Sequence, residues 1–193
     1  VFPGIIAIQV VTVGINAGLG YAWDREFGVL REMLVAPVPK VCLPAGKVVA
    51  TGVIVAVQAA AMLLASPLLQ VPLTATGLLA GTAAYTLAGM VFAGIGLLLA
   101  TSIKRIQTLQ SSVALAMFPM LFLSGSVFRP EDIPDWLGGL IMINPMSYAV
   151  DLVRHVVLAG RPYAGLAPAG VDLLVLLGAG LLAAVCIRWR VGR

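Results

Sequence analysis

Hydrophobic positions in this chain fall in long runs rather than in alternation. Residues 1–22 are apolar and uncharged, and further apolar runs occupy 48–69, 74–101, 108–127 and 171–187. A helix needs roughly 20 residues to cross about 30 Å of hydrocarbon, so each run is near or above the length of a span. Ala, Gly and Leu are abundant in the runs, and polar residues do not alternate with apolar ones. Helices satisfy every backbone group within the segment, whereas a barrel needs alternating polarity. The pattern predicts an all-α integral membrane protein with five transmembrane helices in a single domain, 1–193.

Composition sharpens this reading. Hydrophobic residues make up 61% and charged residues 10%, against about a quarter charged in soluble chains. Soluble, disordered, collagen-like and disulfide-scaffold classes are excluded. The apolar run is already under way at Phe2, with no basic segment before it and no small-residue cleavage site after it, so no signal peptide is expected and further sequence upstream is.

Charge sets an orientation. The 24–47 loop carries Arg25, Arg31, Lys40 and Lys47, the 102–107 loop Lys104 and Arg105, and the C-terminus Arg188, Arg190 and Arg193. Nine of the twelve Lys and Arg residues thus lie on one side, which is expected to be cytoplasmic, with the C-terminus there. The opposite side holds Arg129, Arg154 and Arg161 with Glu131, Asp132, Asp135, Asp151 and Asp172. Trp23, Trp136 and Trp189 fall at the expected interfaces. The net charge of +4 is therefore read as topology and lipid contact, not as a nucleic-acid partner. Cys42 and Cys186 fall on the reducing side, where a disulfide is not expected.

Catalytic signals are sparse. Gly46-Lys47 is followed by Val48 and lacks the earlier glycine of a phosphate loop, and no nucleophile elbow or paired catalytic carboxylate occurs. No metal site is expected. Asp151, Arg154 and His155 share a helix face at i, i+3, i+4, but Asp151 with Arg154 reads as a local ion pair and the sole histidine as a solvated interfacial side chain. Gly14-x-x-x-Gly18 and Gly77-x-x-x-Gly81 would let helices approach closely, and Gln9, Asn16, Gln58 and Tyr85 are polar groups at membrane depth suited to interhelical bonds or a path. No charged residue sits deep in a span, which argues against a proton relay or voltage sensor.

Two segments outside the spans are informative. In 24–37, Asp24 is placed to cap a short helix that Pro37 ends, with Phe27, Leu30, Met33 and Leu34 on one face. Either an interfacial helix or a helix presented to a partner through Glu26, Arg31 and Glu32 fits this pattern. In 128–168, Arg129-Pro-Glu-Asp-Ile-Pro-Asp135 is a proline-punctuated turn, Trp136 starts a one-sided apolar face, Asn144-Pro145 breaks it, and Tyr148–Leu158 begins a second short helix.

Asp24-Arg-Glu-Phe-Gly-Val-Leu-Arg-Glu-Met-Leu-Val-Ala-Pro37, and Phe122-Leu-Ser-Gly-Ser-Val-Phe128 through Ile133-Pro-Asp-Trp-Leu137 to Asn144-Pro-Met-Ser-Tyr-Ala-Val-Asp-Leu-Val-Arg154, resemble the permease subunit of ABC-2 type (type V) exporters. The resemblance implies a six-span fold lacking its first span here. It places a coupling helix within 24–37, with Arg25, Glu26, Gly28, Arg31 and Glu32 facing a separate ATPase. It makes 128–168 an outer helical hairpin whose motif residues are Gly125, Pro134, Trp136, Asn144, Pro145, Tyr148, Asp151 and Arg154. It further implies a non-enzymatic permease of a bacterial cytoplasmic membrane, paired with a second copy as a homodimer, set among lipids and driven by two ABC ATPase subunits. ATP and Mg would bind those subunits, and no cofactor this chain. The implied cargo is a drug, antibiotic or lipid-like molecule, with polysaccharide or lipo-oligosaccharide export as the alternative. A membrane enzyme and a non-catalytic scaffold subunit remain open as other classes.

Overall fold

In the computed structural model, residues 2–29, 39–66, 75–124, 139, 141, 144–157 and 168–191 are described. They form six helices: α1 (Phe2–Glu26), α2 (Cys42–Leu64), α3 (Ala75–Ser102), α4 (Ile106–Leu123), α5 (Pro145–Val157) and α6 (Ala169–Val191). No strand occurs among the described residues. The protein is an all-α, multi-pass membrane protein.

Four segments are long and apolar enough to cross a membrane: Gly4–Glu26, Cys42–Leu64, Ala75–Ser102 and Ala169–Arg190. The remaining expected span, 108–127, corresponds to α4. Its 18 residues reach about 27 Å, and its first two turns carry Gln107, Thr108, Gln110, Ser111 and Ser112. Among the described residues the number of spanning helices is therefore four where five were expected. Positions 125–127 lie outside them.

Helix α3 is the centre of the bundle and packs against α1, α2, α5 and α6. Tyr85, Phe92 and Leu97 on α3 are wholly buried, against Ile6, Val10 and Val11 of α1, Val55 and Leu63 of α2, Met146 and Val153 of α5, and Leu176 of α6. More than half of α1 and α3 is inside the bundle, but only 28% of α2 and 22% of α6. Hydroxyls along the spans turn inward on their own helix. Thr12 Oγ1 donates to Ile8 O (2.8 Å), Thr51 to Lys47 O (2.8 Å), Thr82 to Leu78 O (2.8 Å) and Thr86 to Thr82 O (2.7 Å). Each polar group is thereby satisfied without a partner helix.

Lipid is as apolar as a leucine side chain, so helices in a membrane associate by close packing rather than by hydrophobic burial. The contact of α1 with α3 is built on this rule. A Cβ on Gly14 would lie 2.8 Å from Gly89 O, one on Gly96 would lie 2.5 Å from Ile15 O, and one on Gly18 would overlap the Gly96 backbone. The Gly14-Gly18 spacing thus meets Gly89 and Gly96, two turns apart on α3. Because 14 faces 89 and 18 faces 96, α1 and α3 run parallel. Gly94 meets Ala183, and Gly180 meets Val91, so α6 runs the same way. Gly52 meets Met90 and Gly89 meets Val55, so α2 runs opposite.

Candidate functional site

These directions gather Arg25, Lys40, Lys47, Lys104, Arg105, Arg188 and Arg190 at one end of the bundle. Here α1 runs on past Trp23 through Asp24, Arg25 and Glu26. Asp24 is thus not the helix cap that the sequence led us to expect. No helix-stopping residue intervenes before Gly28, whose φ of 80° is the left-handed conformation that ends helices and favours glycine. Phe27 N donates the last helical bond to Trp23 O (3.0 Å), and the rings of Trp23 and Phe27 stack with centroids 5.3 Å apart. Phe27 is 71% exposed. The expected coupling segment therefore starts as the last turn of the first helix, without a break from it.

Arg25 is held by the neighbouring turn. Its Nη1 donates to Ala100 O (2.9 Å), and its Nη2 donates to Ile103 O (2.9 Å) and Lys104 O (2.8 Å). These carbonyls lie at and just beyond the C-terminus of α3, where orphan acceptors and the helix dipole both favour a cation. Bonds from a charged donor are roughly twice as strong as neutral ones. Lys47, in the second turn of α2, bonds to Asp24. One turn of α1 is thus tied to the α3–α4 turn by Arg25 and to α2 by Asp24. Sequence reading missed both ties; the signal available was a pair of opposite charges flanking one loop.

At the opposite end, Asn144 joins two helices. Its Oδ1 accepts from Met146 N (3.0 Å), capping α5, while its Nδ2 donates to Met120 O (2.9 Å), a carbonyl of the last turn of α4. Pro145 is the first residue of α5, where its missing N–H costs no bond. The side chain of Asn144 is 7% exposed, so neither group it satisfies has ready access to water. Asp151 is buried, and Tyr148, Arg154 and His155 are half-buried. His155 Nδ1 lies 3.1 Å from Asp151 O and 3.6 Å from an oxygen of Asp172 on α6. The expected solvated histidine is therefore in contact with a buried carboxylate.

The profile of the ABC-2 type transporter family matches residues 1–158, which include the Arg25 tie and the Asn144 cap. The chain belongs to that family. It is 32% identical over 161 residues to a probable multidrug ABC transporter permease, YbhR, of Escherichia coli K12, covering 82% of this chain and 43% of that one. It is 29% identical over 165 residues to a putative transport permease, ycf38, of Pyropia yezoensis, covering 79% and 53%. It is 30% identical over 102 residues to nodulation protein J of Neorhizobium galegae, covering 46% and 38%. The chain thus spans about half the length, or less, of these curated relatives.

Of the expected ABC-2 site residues, Arg25, Glu26 and Gly28 sit together at the basic end, and Asn144, Pro145, Tyr148, Asp151 and Arg154 on α5 and its cap. Arg31, Glu32, Gly125, Pro134 and Trp136 lie outside the described residues. Gln9 and Asn16 project from the exposed face of α1 and make no bond within the chain among the described residues. The amide oxygen of Gln58 is buried without a partner. An apolar hollow of about 130 Å³ between α2, α3 and α6, lined by Val48, Met90, Gly94, Gly180 and Ile187 among others, carries no charged side chain. Cys42 and Cys186 are exposed free thiols.

Proposed function

We propose that this chain is the membrane-embedded portion of an ATP-driven exporter permease, working as a pair of copies with two separate ATPase subunits. The cargo is a hydrophobic or amphipathic molecule, drug-like or lipid-like, moved outward across a bacterial cytoplasmic membrane. The observation that carries this reading is the tie of Arg25 to the α3–α4 turn within an ABC-2 family match. A partner pressing on the segment after Gly28 displaces the last turn of α1, and Arg25 passes that displacement to α3 without any flexible joint.

The basic end faces the cytoplasm by the distribution of Lys and Arg, which puts the coupling segment and the C-terminus on the ATPase side. Cargo class follows from the spans, which offer few polar or aromatic side chains for ordered sugar contacts and an apolar hollow instead. The chain itself contributes two conformations of different affinity rather than bond chemistry.

Co-purification tests the reading. Full-length permease co-expressed with its ATPase is captured from membranes beside a Glu26→Lys, Arg31→Glu double variant. Wild type is expected to retain the ATPase, and the variant to insert normally but lose it. Failure of wild type to retain any ATPase removes the energy source and refutes the exporter reading.

A further inference from the structure

Asp172 is the most unusual side chain in the bundle. It lies in the first turn of α6 and is wholly buried, at 0% exposure. Neither of its carboxylate oxygens has a hydrogen-bond partner. Burying a carboxylate without donors is costly, and proteins that keep one place a cation against it. A second buried carboxylate, Asp151 at 1% exposure, comes from α5. One oxygen from each, with one ring nitrogen of His155, lie within 4.8 Å of one another.

We propose that Asp151, His155 and Asp172 bind a divalent transition-metal cation, zinc being the ion their donors suit, which staples α5 to the start of α6. Three separate facts converge on this. The set offers an imidazole and two carboxylates, the mixed nitrogen and oxygen donors that zinc accepts, whereas magnesium and calcium prefer all-oxygen shells of six or more. Asp172 supplies a buried carboxylate whose oxygens accept no hydrogen bond. His155, one-quarter exposed, leaves an approach from the surface that the two aspartates lack.

The geometry asks for modest closure. Zinc ligands at about 2.0–2.2 Å stand about 3.3 Å apart in a tetrahedron. His155 Nδ1 and Asp172 already stand at 3.6 Å, so the remaining adjustment is to free Nδ1 from Asp151 O and rotate side chains on two helices that both pack on α3. Three protein ligands leave a fourth position for water. The rival for the same negative charge is Arg154, one turn from Asp151 on α5. If Arg154 and a proton neutralise the two carboxylates, zinc finds no net attraction here.

Zinc content decides between them. The full chain, tag removed, is prepared in a Cys42→Ser, Cys186→Ser background, because exposed thiols would bind zinc themselves. It is equilibrated with zinc, dialysed and measured by elemental mass spectrometry and thermal melting. About one zinc per chain is expected, with a zinc-dependent rise in Tm, both lost in Asp172→Asn and in His155→Gln and both kept in Asp24→Asn at the far end. His155→Gln alters a half-buried side chain and keeps a polar group there, so it tests the site even where Asp172→Asn fails to fold. Zinc absent from the parent, or retained equally in His155→Gln, overturns the proposal.

Discussion

Replacing Gly96 with alanine tests the packing of α1 on α3 most directly. The added Cβ would stand 2.5 Å from the carbonyl oxygen of Ile15 and 3.0 Å from its carbonyl carbon. Carbon–oxygen contacts settle near about 3.3 Å, so the two backbones must part by about 0.8 Å. Both are helical backbone, and no side-chain rotation relieves the overlap. A gap of that size forfeits a quarter to a half of the dispersion energy of each contact it opens, and overpacking of this kind costs about 1–3 kcal/mol. We take the upper end, about 3 kcal/mol, because Gly18 opposes the same spot and yields nothing. Alanine's better helix propensity returns about 1 kcal/mol, leaving about 2 kcal/mol of net destabilisation. For a chain of this size that lowers Tm by about 4–8 °C. The assay is thermal unfolding in detergent at one fixed scan rate, since membrane proteins often unfold irreversibly. Gly178→Ala on α6, where an added Cβ meets nothing within 4 Å, is the control and should leave Tm unchanged or slightly raised. Equal melting of the two variants would refute the backbone contact.

Two further outcomes follow from the same geometry. Asn144→Ala removes the cap of α5 and leaves Met120 O without its donor, costing about 2 kcal/mol by the sum of a cap and a buried acceptor; Asn144→Asp keeps the cap and should recover about half, read by the same melts. Asn16→Cys, in a background without Cys42 and Cys186, should cross-link to a second copy in membranes while Val53→Cys on the exposed face of α2 does not, because an exposed amide needs a polar partner where an exposed valine is content with lipid; the reverse pattern would exclude α1 from the contact between copies.

The helices were legible in the sequence where run length alone decides, as in α3 and α6. Where local chemistry decides, the reading slipped. Asp24 resembled a cap because a charge after an apolar run usually marks a new element, yet a helix continues until something stops it, and here that is Gly28. The 108–127 run is met over its described part by α4, and its last three positions lie outside the described residues. Asn144-Pro145 was legible as a break, and its role as a double tie was not, because the bond from Asn144 Nδ2 to Met120 O is a contact between helices. Gly14 and Gly18 were legible as a small stripe, but their counterpart is Gly89 with Gly96, a spacing of two turns that no short motif describes. Asp172 was visible only as an outer charge. Its meeting with His155 is a contact between helices, and single-sequence periodicity carries no such information.

The bundle has one stiff pair and two looser neighbours. Helices α1 and α3 touch backbone to backbone at the glycines and are tied again at the basic end by Arg25, so they can move only together. Helices α2 and α6 leave most of their surface outside the bundle and meet α3 through side chains such as Met90, Val55, Val91 and Ala183, which can slide. A force applied at Gly28 therefore enters the stiff pair, and relative motion is taken up at the α2 and α6 contacts. At the far end that motion arrives where α5 meets α6, at His155 and Asp172. A cation held there would fix the two helices together, and its release would free them. The two charged clusters thus stand at opposite ends of the bundle: under the proposed coupling the first is where force enters, and under the proposed cation site the second is where α5 and α6 can be held together or let go.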